Sequence, residues 1–199
     1  MAEQVVKRKR RSAAETRALV VKKAAEQLVA ESGALEMATL AKKAGLSEGL
    51  AYHYFKNRAG VIAAVVDDFY DRFEERVIDI RFDGDTWQQR EEKRVEALVD
   101  FYCEDPLTPV IFTRLGSEAE VVEVESRRAE RQVDLAEENI RFAQQAGDIS
   151  KDRDARLLGA IMLGGIRWAV LSALQDGGRF NQQHLKTEIW NAVEALSRS

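Results

Sequence analysis

Apolar residues recur at spacings of three and four along most of this 199-residue chain, and nowhere do apolar and polar side chains alternate as they would in a half-buried strand. That periodicity predicts helices throughout. Only two prolines interrupt it, which leaves the helices free to be long. The expected fold is all-α, a small N-terminal domain followed by a larger helical body. No internal repeat is visible.

The helix signals can be read in order. Ser12 is placed to cap a first helix over residues 12–32, with Glu15 completing a capping box. Leu19, Val20, Val21, Ala24 and Leu28 form its apolar stripe, and Gly33 ends it. A short helix over 37–44 precedes a Gly45-Leu46-Ser47 turn, and Ser47 caps a third helix over 48–54. A fourth is predicted over 58–82, with Val61, Val65, Val66, Phe69, Phe73, Val77 and Ile80 facing inward, until Asp83-Gly84-Asp85 breaks it. Thr86 opens a fifth through Phe101 and Tyr102, closed by Asp105-Pro106, and a short one follows to about Leu115. A long charged helix covers 117–145 up to Gly147. Asp152 opens an apolar helix that ends at Gly177-Gly178, and a last one covers 181–196.

Composition narrows the class. With 45% apolar and 32% charged residues the chain suits a soluble globular protein. The lone cysteine, Cys103, forms no internal disulfide framework and fits a reducing cytoplasm. No apolar run follows the basic N-terminus, so no secretory signal is expected. Residues 157–174 approach the length of a membrane span, but Arg167 lies within them; the expectation is a helix buried on several sides, with no membrane partner. Charge is unevenly spread. The first 60 residues carry 12 basic and 6 acidic side chains, the remainder 18 and 28. A basic head on an acidic body points to a polyanionic partner for the head. Residues 1–11, ending in Lys7-Arg8-Lys9-Arg10-Arg11, read as a flexible basic arm.

Residues 40–55, LAKKAGLSEGLAYHYF, meet the demands of a helix-turn-helix. Ala41 is small where two helices cross. Gly45 can take the positive φ needed to leave the first of them. Leu46 can tuck inward, and Ala51 and Tyr54 supply the inner face of the second. Glu48, Gly49, Leu50, Tyr52 and His53 are left outward, where DNA would lie.

From Thr16 to Val65 the chain resembles the tetracycline-repressor (TetR) family: Ala24-Ala25 and Leu28 before Gly33, Leu40-Ala41, Ala44-Gly45-Leu46-Ser47, Gly49, then Tyr52-His53-Tyr54-Phe55-Lys56-Asn57-Arg58. It departs from the family at Glu36, where threonine is common, and at Arg58-Ala59, where lysine and an acid are common. The resemblance implies a transcriptional regulator, most simply a repressor, that binds a palindromic double-stranded operator as a homodimer and is released by a small molecule. It implies a DNA-binding domain over 12–58 and an effector-binding and dimerisation body over 59–199. Tyr52, Lys56 and Arg58 would hold phosphates; Leu50 and His53 would meet base edges; Ser47, Glu48 and Gly49 would offer a helix N-terminus to phosphate. Thr39 and Tyr54 complete the DNA-binding candidates, although Tyr54 and Phe55 are more core-like.

The body offers weaker signals. Phe69, Phe73, Phe101, Tyr102, Phe112, Phe142, Met162 and Trp168 are candidate linings of an effector pocket, each equally at home in an ordinary core. Arg114, Glu118 and Arg167 interrupt apolar stretches and suit either a polar ligand group or an ion pair. The bias is toward an apolar or aromatic effector. Gly159, Gly164 and Gly165, with Ile189, Trp190, Val193 and Leu196, suit an intersubunit four-helix bundle. The chain offers no nucleophile constellation, phosphate-cradling loop or metal-ligand spacing, so neither catalysis nor a cofactor is expected.

Overall fold

A computed structural model describes residues 11–116, 118–176 and 181–198; most of the basic arm, Ser117 and Gly177-Gly178 lie outside the described residues. All regular structure among the described residues is helical.

α1 (Ala13–Ala30) begins at a reciprocal cap. Ser12 Oγ accepts from the Glu15 amide at 3.1 Å, and the Glu15 carboxylate accepts from the Ser12 amide at 2.7 Å. Val20, Val21, Ala24 and Leu28 are buried as expected, while Leu19 is only half-buried; Thr16 and Gln27 share the inward face instead. α2 (Met37–Ala44) ends at Gly45, whose φ of 67° is the left-handed conformation that glycine tolerates best. α3 (Glu48–Phe55) starts at Ser47, whose Oγ accepts from the Leu50 amide at 3.3 Å.

α4 (Arg58–Phe73) runs from the N-terminal helices into the body, packing on both α1 and α7 (Ala119–Ala146). It stops short of the expected end. Its last turn widens into a π-helical turn (Glu74–Ile78) that buries Val77, and the chain then leaves the helix. Ile80 therefore never returns to the core face and is 43% exposed, against expectation.

α5 (Trp87–Glu104) opens on a second reciprocal cap, Thr86 with Gln89. α6 (Leu107–Val110) continues into a π turn (Ile111–Leu115). α7 is stopped by Gly147 at φ 84°. α8 (Ala155–Gln175) starts two residues later than expected because Asp154, not Asp152, caps it, accepting from the Leu157 amide at 2.9 Å. α9 (Gln182–Arg198) closes the body.

Two features bind α4 into the body. One is aromatic: Phe69, Phe73, Phe101 and Tyr102 are buried against one another, with Phe73 and Tyr102 stacked at 5.1 Å. The other is ionic. Arg128 on α7 reaches Asp67, Asp71 and Glu74 along one side of α4, and Arg131 adds a second cation to Glu74 at 3.2 Å.

α8 departs from expectation. It is long and apolar enough to cross a membrane, yet only 33% of its apolar window is buried. Leu158, Met162, Ile166 and Val170 face inward, whereas Leu157, Ile161 and Trp168 are exposed. A helix apolar around most of its circumference is thus covered on one side by the rest of the chain. Of its three glycines, Gly159 serves that inner side, where a Cβ would stand 2.9 Å from Ala136 Cβ on α7; Gly164 and Gly165 border open space.

Candidate nucleic-acid interface

The α2–α3 unit presents one face to the core and one to solvent because its buried residues are few and fixed. Leu40, Ala41, Ala44, Ala51 and Phe55 are buried, and Leu46 is half-buried in the turn. What remains outward is the set expected to meet DNA. Ser47, Glu48, Gly49, Leu50, Tyr52, His53 and Lys56 are all exposed. The Ser47 cap leaves the Glu48 and Gly49 amides at an open helix N-terminus, the arrangement that accepts phosphate. Thr39 is half-buried, its hydroxyl donating to Glu36 at 3.2 Å, so Glu36 acts as a side-chain acceptor even though it makes no cap bond. Tyr54 is half-buried with its ring edge-on to His53, 5.7 Å between centroids.

One basic residue near this face carries no signal in the sequence. The Arg17 guanidinium on α1 lies over the Phe55 ring at 5.2 Å, and Arg17 is exposed. Its distance along the chain from the helix-turn-helix leaves no spacing to read.

Arg58 is placed differently from expectation. Its Nε donates to the Leu35 carbonyl at 3.0 Å, and its Nη1 donates to both carboxylate oxygens of Glu118 at 3.0 and 3.2 Å. The residue expected to grip phosphate instead ties the start of α4 to the α1–α2 loop and to the start of α7. Glu118 takes the ion-pair role, one of the two uses that its place in the sequence suggested.

The joint between α3 and α4 is tight. Lys56 turns the chain with φ 61°, Asn57 Oδ1 accepts from the Gly60 amide at 2.7 Å, and a Cβ on Gly60 would stand 2.3 Å from the Phe55 carbonyl oxygen. Backbone cannot move aside as a side chain can. Gly60→Ala is expected to cost about 1–3 kcal/mol and to loosen the recognition helix. Gly49→Ala, which meets nothing within 4 Å, is the control that leaves the melting temperature unchanged or slightly raised. Equal melting temperatures for the two variants would contradict this account of the joint.

The residues expected to line an effector pocket do not come together around a space. Phe69, Phe73, Phe101 and Tyr102 fill the core against one another, because aromatic rings at helical spacing pack as readily as they line. Phe112 is half-buried beneath the Arg167 guanidinium at 4.2 Å. Arg167 in turn donates to the Tyr70 hydroxyl at 3.1 Å and to Glu125 at 2.8 Å, while Tyr70 donates to Glu125 at 3.0 Å. Burial raises the Tyr70 pKa, which keeps its proton on that bond. Arg114 is exposed and packs over Gly33. Phe142 and Trp168 are 62% and 71% exposed, so neither lines an interior space. Met162 alone of these candidates lines a small, partly enclosed cavity of about 50 Å³ between the body helices.

Residues 22–65 match the family model of bacterial regulatory proteins of the tetR family. No curated protein sequence matches the chain. Several solved structures share its fold. One described as a TetR-family transcriptional regulator from Syntrophomonas wolfei has a TM-score of 0.77 at 12% identity, over 94% of this chain and 96% of that one. One described as a transcriptional regulator from Pseudomonas aeruginosa PAO1 has a TM-score of 0.73 at 21% identity, over 97% of each chain. The transcriptional regulator FadR from Bacillus subtilis, in complex with stearoyl-CoA, has a TM-score of 0.73 at 17% identity, over 89% of this chain and 97% of that one.

Proposed function

We propose, from the premise that this chain belongs through its N-terminal domain to the tetR family of bacterial regulatory proteins, that it is a repressor that binds a palindromic operator as a homodimer and lets go when a small molecule enters its body. The observation that carries the reading is the outward set on α3: Leu50, Tyr52 and His53 stand exposed on a helix whose other side is locked into a core. An exposed leucine and tyrosine beside a histidine have little to do in water and suit base edges, a thymine methyl and a phosphate.

The dimer rests on α8. Its uncovered apolar side, with the exposed Leu157, Ile161 and Trp168, fits a second copy of itself better than a lipid bilayer, because Arg167 stands mid-helix and is held by Glu125 and Tyr70. A twofold axis through α8 and α9 matches a palindromic site, its half-sites about one helical turn or more apart. Effector release is supported by the cavity between body helices, and the FadR structure, in complex with stearoyl-CoA, shows that a protein of this fold can hold a ligand. A DNA-binding regulator works in the cytoplasm, in keeping with a single unpaired cysteine.

The test separates reading from gripping. His53→Ala is expected to cost operator affinity about 1–3 kcal/mol per half-site and to leave random DNA unaffected. Lys56→Ala is expected to weaken both DNAs and to flatten the salt dependence by about one unit for each phosphate no longer neutralised. Binding titrations on both DNAs at several salt concentrations decide it. If His53→Ala weakens both equally while Lys56→Ala spares random DNA, the roles are reversed.

A further inference from the structure

The 50 Å³ cavity lies in the body, bordered by α5, α7, α8, α9 and the π turn that ends α4. Most of its wall is apolar, but four polar side chains share it, and three of these satisfy one another. Glu91 pairs with Arg94 and accepts from Asn139 Nδ2 at 3.0 Å, while Arg94 Nε donates to the Val77 carbonyl at 3.3 Å. Together the three carry no net charge. The fourth, Trp87, is 1% exposed, and its Nε1–H has no acceptor among the described residues. A buried donor left unpaired costs about 1–3 kcal/mol, and Trp87 is one of the residues that line this cavity.

A second recess lies beside it. Arg94 lines this recess of about 620 Å³, open to the surface beside residues 81–85, and its guanidinium lies over the Phe82 ring at 5.4 Å. The partly exposed Arg94, paired with Glu91, thus borders both spaces.

We propose that this cavity is where the effector binds, and that the effector is an uncharged, mostly apolar molecule carrying an accepting oxygen, of the ketone, lactone or ether class, set against Trp87 Nε1–H. The inference rests on the reading of the chain as an effector-released regulator and adds the ligand's chemistry. A carboxylate or an ammonium would have to break the Arg94–Glu91 pair and leave one of its members buried beside the wrong charge. A sugar would need more partners than one free donor supplies. The volume suits about one or two waters, so a ligand widens it, and Met162 forms an unbranched, adaptable part of the wall.

The experiment uses the full-length ¹⁵N-labelled protein and four probes built on one five-membered ring: cyclopentanone, its isostere methylenecyclopentane, cyclopentanecarboxylate and cyclopentylammonium. Three tryptophans give three indole N–H signals. That of Trp87 is assigned by its loss in Trp87→Phe or, should that variant not fold, by elimination with Trp168→Phe and Trp190→Phe. Cyclopentanone is expected to move the Trp87 signal and to bind about tenfold more tightly than methylenecyclopentane. The two charged probes are expected to leave the signal in place, and Trp87→Phe to abolish the tenfold preference. A Trp87 signal that ignores cyclopentanone, as it would if the cavity holds only water, overturns the proposal. So does one that moves equally with the hydrocarbon or with either charged probe. Operator binding is measured in parallel. Release by any small molecule while Trp87 stays unmoved removes this site but keeps the effector-released regulator. A Trp87 signal that moves while the operator stays bound keeps the cavity and its ligand class and removes effector release.

Discussion

Ile161→Asp is expected to convert the protein into a folded monomer that has lost its operator. Ile161 lies on the open side of α8 between Leu157 and Trp168, all three exposed in the protomer. Covering such side chains contributes about 1.5–3 kcal/mol each, and a carboxylate placed among them on burial has no partner. Helix content should be unchanged, because the substituted side chain touches water in the protomer. Light scattering should give the protomer mass, and operator affinity should fall by about 10²-fold or more, since each half-site then binds alone. Random DNA should be affected far less. A dimer that persists with Ile161→Asp, or a monomer that keeps full operator affinity, would remove α8 from the interface.

The second large effect lies between α4 and α7. Arg128 is 12% exposed and reaches three carboxylates, of which Glu74 is itself buried. Removing one member of a buried pair leaves the other desolvated, so Arg128→Ala is expected to cost about 3–5 kcal/mol. For a chain of this size that lowers the melting temperature by roughly 10 °C. Arg131 remains on Glu74 and holds the loss toward the lower end of the range. The control is Arg127→Ala, whose guanidinium meets Asp67 at the open rim; its cost should stay below about 0.5–1 kcal/mol. Equal losses from the two variants would show that Arg128 gains nothing from its burial.

The features legible in the sequence are those settled within a few residues of themselves. Ser12 with Glu15, Gly45, Ser47 and Thr86 each satisfy a backbone need three or four positions away, so the helices they begin or end can be read directly. The outward set on α3 follows from the same local count. Features settled by distant residues are not legible. Arg58 reads as a phosphate ligand until α7 brings Glu118 to it from 60 positions away. The body aromatics carry the same pattern whether they fill a core or line a space, and only packing separates them. Asn139 meets Glu91 across 48 positions, and nothing in the order of residues marks the Trp87 N–H as unpaired. α8 reads as buried on several sides because its composition demands cover without saying which chain provides it.

The tether at Arg58 sets an angular tolerance. α4 has 16 residues and is therefore about 24 Å long. Its far end is held by Arg128 and the aromatic core, and its near end carries Arg58 and the joint to α3. Rotating a rod of that length by about 5° displaces its near end by about 2 Å, several times the error a base-edge hydrogen bond endures. In the proposed dimer, a change at the body end too small to alter the outline of the protein would therefore be large enough at the other end to decide whether two recognition helices still match two half-sites.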